Sequence, residues 1–346
     1  MAMSVTDAVP RGATPSLLAV PPSTLATPEA LIVYPGVLPP RFVVTVLGDV
    51  RIDVVSAVRS RRFAQLTHDH DEPTGVATVV GGTAMGFARA AAPHFAEVRV
   101  IAAIGEDHWS DTIRTAAREA GVVACFDQHP GLSNGVVVIV RDAGSPGNPG
   151  GVRLLLAQEP SPYGHLDVEF VRRQQDVIAS SDALVIDGYA LLHDRSAAAV
   201  DLATQIADAA GVPVSFDLVP HKIDERVAAS RIAPFLRFAS MRIVEAPTVA
   251  RLLRRGVPNE PSRRYATELA ERLPRSPRGT GQTSFVRFGY AMMEETVAVT
   301  SGGPTVYYRT GYARQRDGSG YGYAVAAAEL KWWLTQAAQT GPQHWC

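Results

Sequence analysis

The residues best suited to chemistry in this sequence lie in three glycine-rich turns. The first, Leu47-Gly48-Asp49-Val50-Arg51-Ile52-Asp53, follows a β-branched run. The second, Gly81-Gly82-Thr83-Ala84, leads into an alanine-rich stretch. The third, Asp317-Gly318-Ser319-Gly320-Tyr321-Gly322-Tyr323, also precedes a helical pattern. A glycine-rich turn feeding a helix offers free backbone N–H groups and the positive end of the helix dipole. Ser319, Gly320, Tyr321 and Gly322 are therefore candidates for holding an anion. Tight turns also use glycine for purely steric reasons, so each turn alone has a bland reading as well. Neither a phosphate loop with its lysine nor a Gly-x-Gly-x-x-Gly turn between a first strand and helix occurs.

Other polar clusters carry less. His68-Asp69-His70-Asp71-Glu72 concentrates imidazoles and carboxylates, but its spacing is poor for a closed tetrahedral metal site and no distant motif completes it. It reads as a polar loop, and no metal ligand is assigned. Arg309, Arg314 and Arg316 precede the third turn and could meet an anion or simply be solvated. Trp332 and Trp333 sit with Leu330 and Leu334 at helical spacing, which suits core packing or a contact in a homodimer.

The elements that must position these turns alternate. Strand patterns run over 42–47, 98–104, 136–140, 152–156, 183–186, 213–216, 241–244 and 284–288. Helical patterns cover 83–95, 111–120, 167–179, 195–210, 247–253, 263–272 and 323–338. This order predicts right-handed crossovers: an α/β fold with a doubly wound, mostly parallel sheet, helices on both faces, and a crevice beyond the carboxyl ends of the strands. Residues 1–41, rich in Pro, Ala, Ser and Thr, read as an extension, and 144–151 as a hairpin loop.

Composition narrows the function classes. The chain has 346 residues and 46% hydrophobic content, enough for a large core. Lys and Arg total 33 against 34 Asp and Glu, so no basic field attracts nucleic acid. The cysteine count of 2 leaves no disulfide framework and fits a reducing cytoplasm. No apolar run approaches the ~20 residues of a membrane span, and no signal-peptide pattern opens the chain.

Taken in order with Ile104-Gly105-Glu106-Asp107, Asp182-Ala183-Leu184-Val185-Ile186-Asp187-Gly188 and Val214-Ser215-Phe216-Asp217, the turns resemble the ribokinase-like (PfkB) carbohydrate and nucleoside kinases. The resemblance runs from residue 42 to the last helix. It implies a ribokinase-like domain over 42–346 with a small β lid drawn from about 54–80 and 136–156. Asp53 then matches the carboxylate that binds substrate hydroxyls, unless it only caps local N–H groups. Gly81 and Gly82 match the pair that lets backbone approach the substrate. Arg51 stands where members often carry a substrate-binding Asn, and would either fork onto a phosphate or carboxylate ligand or pair with Asp49 or Asp53.

Departures from the family pattern matter more than the matches. Members usually carry Gly-Ala-Gly-Asp at the anion turn, and that Asp takes the proton from the attacking hydroxyl. Here Gly320-Tyr321-Gly322-Tyr323 aligns, so Tyr323 holds the base position. A phenol of pKa near ~10 is a poor base at neutral pH, and general-base help is worth about 10² to 10⁴ in rate. The family's Asn-x-x-Glu stretch, tied to magnesium and phosphate, becomes Glu245-Ala246-Pro247-Thr248. Its substrate-contacting Asn on the helix after the glycine pair becomes Gly86. These changes predict a degenerate member that binds a small polyhydroxylated or anionic molecule, such as a sugar, nucleoside or phosphorylated metabolite, with ATP-dependent transfer lost or replaced. Two alternatives stand beside it. One is an active kinase that uses ATP and magnesium, with Asp317 as a displaced base. The other is a structural or regulatory subunit without a small-molecule ligand.

Overall fold

A computed structural model describes residues 17–18, 41–145, 151–218, 223–259, 261–276, 281–288, 294–303, 305–310 and 321–340. The strands are β1 (Leu17–Leu18), β2 (Val43–Leu47), β3 (Arg51–Ala57), β4 (Ala77–Gly81), β5 (Glu97–Gly105), β6 (Val122–His129), β7 (Val136–Arg141), β8 (Arg153–Ala157), β9 (Ala183–Asp187), β10 (Val214–Leu218), β11 (Met241–Glu245), β12 (Thr283–Phe288), β13 (Glu294–Thr300) and β14 (Thr305–Thr310). The helices are α1 (Thr83–Ala91), α2 (Trp109–Glu119), α3 (Val168–Arg173), α4 (Gln175–Ala179), α5 (Asp194–Ala209), α6 (Ile223–Arg226), α7 (Ala229–Phe238), α8 (Ala246–Leu252), α9 (Arg263–Arg272) and α10 (Tyr321–Thr340).

Ten strands form one sheet in the order β1-β14-β13-β12-β11-β10-β9-β2-β5-β6. The run from β12 through β6 is parallel throughout, with β2 held between β5 and β9. Such strands are buried on both faces, and β2 and β9 accordingly read as nearly unbroken apolar runs. Past β12 the sheet turns antiparallel through β13, β14 and the short β1. A separate sheet of four strands, β4-β3-β7-β8, is mixed and begins at Arg51, so Asp53 lies on one of its strands.

Two apolar layers sandwich the main sheet. One side buries Leu184, Phe216, Val200 and Leu269 beneath α3, α5, α8 and α9. The other buries Val44, Val100 and Phe285 beneath α1, α2 and α10, with Met85, Phe87, Leu330 and Trp333 from those helices. Trp333 is thus a core residue, and Trp332 packs edge-on against Phe285 at 5.9 Å between ring centroids.

Some expected elements change at identifiable points. The helix expected over 83–95 ends at Ala91 and tightens into a 3₁₀ turn over Ala92–His94, because Pro93 cannot continue the α-helical ladder. The helix expected over 167–179 divides at Gln174, whose N–H bonds to both Phe170 and Val171 carbonyls. Strands β6, β13 and β14 and helix α7 were not expected from the pattern. The extension over 1–41 lies outside the described residues apart from Leu17–Leu18 and Arg41, and the loop over 144–151 is described only at Gly144, Ser145 and Gly151. No helix among the described residues is long and apolar enough to cross a membrane.

Candidate functional site

Parallel strands deliver their carboxyl ends to one side of the sheet, and there β2, β9 and β10 end at Leu47, Asp187 and Leu218. Asp187 ties this end together. Its carboxylate accepts hydrogen bonds from the Tyr189 N–H at 2.6 Å, from the Asp49 N–H at 3.3 Å and from the Thr83 hydroxyl. It therefore joins β9 to the turn after β2 and to the first residue of α1. Burial and the nearby Asp49 charge raise its pKa to about 7 against the pull of those donors.

Arg51 and Asp49 form a buried ion pair just beyond β2, and Glu159 stands 3.9 Å from the same guanidinium. Arg51 thus pairs with Asp49, one of the two carboxylates expected as its partner. A guanidinium already committed to a carboxylate has less of its fork to offer an external anion. Asp53, two residues further along β3, differs. Its carboxylate is half-buried and accepts no hydrogen bond among the described residues, and burial followed by the Asp49 charge raises its pKa to about 6.

The glycine pair shapes the opposite wall. A Cβ on Gly81 would fall 1.9 Å from Asp53 Oδ2, so the strand-end backbone lies against the carboxylate. Gly82, at φ 86°, makes the left-handed turn that starts α1, and a Cβ there would meet the Asp49 carbonyl oxygen at 2.4 Å. One turn into α1, a Cβ on Gly86 would lie 2.4 Å from Cε2, 2.7 Å from Cδ2 and 2.9 Å from Cζ of Tyr323. The Tyr323 ring is thus laid onto the bare backbone of α1. Burial, and then the Asp187, Asp53 and Asp217 carboxylates, push its phenol well above the usual range, so it stays protonated.

The sequence of residues 42–240 matches the pfkB family carbohydrate kinase model. The chain belongs to the pfkB carbohydrate kinase family. No curated protein matches it closely enough to add a relative of known activity. Among solved structures it is similar to adenosine kinase from Sinorhizobium meliloti, with TM-score 0.67 and 16% identity over 86% of this chain and 88% of that one. It is also similar to fructokinase from Xylella fastidiosa, with TM-score 0.61 and 16% identity over 85% and 83%. A putative ribokinase II from E. coli, in complex with ATP and Mg²⁺, gives TM-score 0.62 and 16% identity over 83% and 85%. The ribokinase-like fold expected from the turns is therefore the fold of this pfkB protein.

The residues expected to hold an anion are described only in part. Asp317, Ser319 and Gly320 of the third turn, with Arg314 and Arg316, lie outside the described residues, as do the side chains of Arg309 and Tyr321. Gly322 lies in the first turn of α10, 3.6 Å from Arg287 Nη1 measured from its would-be Cβ. Arg287 in turn pairs with Glu329 of α10 at 2.9 Å, both fully buried, and Glu329 also accepts from the Tyr308 hydroxyl. Glu245 ends β11, and Thr248 is buried within α8 with its hydroxyl 3.4 Å from Arg251 Nη2. No grouping of three or more His, Cys, Asp or Glu side chains suited to a metal ion occurs among the described residues. In the 68–72 stretch, Glu72 is taken up by Ser60, Arg59 N–H and His70.

Sequence reading missed the tie made by Asp187, although it used the Asp187-Gly188 pair as a landmark. An Asp at a strand end immediately before a 3₁₀ turn is the available signal, since its side chain caps that turn. The Gly86–Tyr323 contact had only an indirect trace: both positions depart from the family pattern together.

Proposed function

We propose that this protein is a degenerate pfkB member that binds a small polyhydroxylated molecule at Asp53 and does not transfer phosphate from ATP to it. The observation carrying the reading is Tyr323, whose protonated phenol stands at the family's base position beside Asp53, Asp187 and Asp217. A general base must accept the hydroxyl proton at the moment of attack, and a phenol held protonated by burial and neighbouring carboxylates does not. The Asp53 carboxylate accepts no hydrogen bond among the described residues and can accept two from hydroxyls, so recognition of a diol survives where the transfer chemistry does not. The four-stranded sheet that carries Asp53 serves as the lid over that ligand.

With Arg51 committed to Asp49, the polyhydroxylated ligand is favoured over an anionic one. Thr248 in place of a carboxylate argues for weak or absent binding of magnesium-ATP. The kinase alternative needs Asp317 to act as base.

A thermal-shift screen of sugars and nucleosides, run beside an assay for ADP release, tests the reading. At least one compound should raise the melting temperature with no substrate-dependent ADP. At ~100 times its dissociation constant, a ligand adds about 2.7 kcal/mol to stability, a shift of several degrees. Turnover by the wild type that Asp317→Asn abolishes would establish the kinase alternative and refute this reading.

A further inference from the structure

Two departures from the family pattern prove to be one structural change. Gly86, inside α1, leaves a gap where a side chain would stand, and the ring of Tyr323 from α10 fills it within 2.4 Å of the would-be Cβ. Glycine in a helix interior is disfavoured relative to alanine, so its presence here calls for a compensating contact, and the ring supplies one. Any Cβ would evict it. The same ring stands where an attacking hydroxyl would have to approach the base position, within about 2.6–3.2 Å of an accepting atom. The least hindered hydroxyl on a sugar ring is the one on an exocyclic hydroxymethyl arm, and in a ligand held by Asp53 with that hydroxyl turned toward the base position, the arm would meet the ring.

We propose that the Gly86–Tyr323 pair is a specificity device that excludes the hydroxymethyl arm, so that the crevice takes five-carbon pyranose sugars in preference to their six-carbon counterparts. This rests on the reading that Asp53 holds a polyhydroxylated ligand. Asp53 accepts from ring hydroxyls, which both classes share, while Tyr323 bears on the one group by which they differ. Discrimination is steric: the phenol oxygen is not needed, only the ring, kept in place by the absence of a side chain at Gly86. A pocket that accepts or rejects one small group discriminates by roughly 10- to 200-fold.

The test uses pairs that differ only in the arm: D-xylose with D-glucose, L-arabinose with D-galactose, and D-lyxose with D-mannose. Binding is measured by calorimetry on the full chain and on Tyr323→Ala, Tyr323→Phe and Gly86→Ala. In the wild type, at least one pentose should bind about tenfold or more tightly than its hexose partner. Tyr323→Phe should keep that ratio and Tyr323→Ala should bring it near unity by admitting the hexose. If Tyr323→Ala does not fold, Gly86→Ala decides instead, since it drives the ring further into the crevice and should weaken the pentose as well. Equal binding within every pair, or loss of the preference in Tyr323→Phe, overturns the steric device and leaves the crevice reading standing. ADP release with any of these sugars refutes the proposed loss of catalysis without touching the pentose preference. Silence from all six sugars in both wild type and Tyr323→Ala overturns the pentose preference, and silence from the nucleosides as well overturns the crevice reading with it.

Discussion

Gly86→Ala adds a single methyl group, and in the middle of a helix that exchange ordinarily stabilises by about 0.5–1 kcal/mol. In this protein the methyl carbon would arrive 2.4 Å from Tyr323 Cε2, about 1.3 Å closer than two carbons sit at the optimum of roughly 3.5–4.0 Å. The ring must swing away from α1, and overpacking of this kind typically costs about 1–3 kcal/mol. The net effect should be a loss of about 0.5–2 kcal/mol, read as a drop of a few degrees in melting temperature. Tyr323→Ala removes the obstacle. Made in that background, the same Gly86→Ala should recover the helical gain and stabilise by about 0.5–1 kcal/mol, a reversal of sign. Urea denaturation of the four proteins closes a double-mutant cycle, with an interaction energy of about 1–3 kcal/mol between the two sites. If Gly86→Ala changes stability equally in both backgrounds, the ring does not rest on α1, and the steric account of ligand choice loses its foundation.

Three further outcomes follow from the site. Because burial raises the Asp53 pKa to about 6, its carboxylate should be ionised at pH 7.5 and largely protonated at pH 5. Sugar binding measured by calorimetry should weaken by about tenfold between those values, and in Asp53→Asn it should be weak and flat with pH. The same raised pKa costs stability. A carboxyl group that ionises near pH 3.9 when unfolded but near 6 when folded loses stability as pH rises through that window, so Asp53→Asn should gain about 1–2 kcal/mol at pH 7.5 and nothing below pH 4, by denaturation across pH. Glu329→Gln should cost about 3–5 kcal/mol by leaving the buried Arg287 charge uncompensated, and Arg287→Met in that background should restore most of the loss, as read by denaturant midpoints.

What the sequence disclosed depended on how locally each feature was encoded. The interior parallel strands announced themselves because burial on both faces demands continuous apolar runs, as in Val43–Leu47 and Ala183–Asp187, whereas the parallel edge strand β6 is mostly half-buried or exposed and did not. Strands β13 and β14 lie toward the antiparallel edge of the sheet, where Glu294-Glu295-Thr296 and Thr305 mix polar residues into a weaker pattern, and α7 was obscured by Pro234 in its interior. At the site, Asp53, Gly81 and Gly82 were singled out from the order of the turns, but it is the pairing of β3 with β4 that lays Gly81 against Asp53. Arg51 was left between two roles, and its pairing with Asp49 is visible only in the geometry of the turn. Asp187 was known as a landmark, but its tie to Thr83 and Asp49 exists only because β9 pairs beside β2, which is a matter of strand order. The contact of Tyr323 with Gly86 required α10 to lie on α1, which no local pattern could announce.

That last packing has a bearing on how the chain is made. The apolar layer on the α1 side of the sheet is completed by Ala326, Ala327, Leu330, Trp333 and Leu334, which are synthesised long after Met85 and Phe87. A ribosome working at about 5–20 residues per second exposes the earlier half of that layer for roughly ten seconds or more before its cover emerges. During this interval the nascent chain offers an apolar surface flanked by strands already able to pair, which is the form of intermediate that chaperones capture and that aggregates when they do not. A ribosome-stalled fragment ending before α10 should therefore remain protease-sensitive, although it contains every residue of the family match.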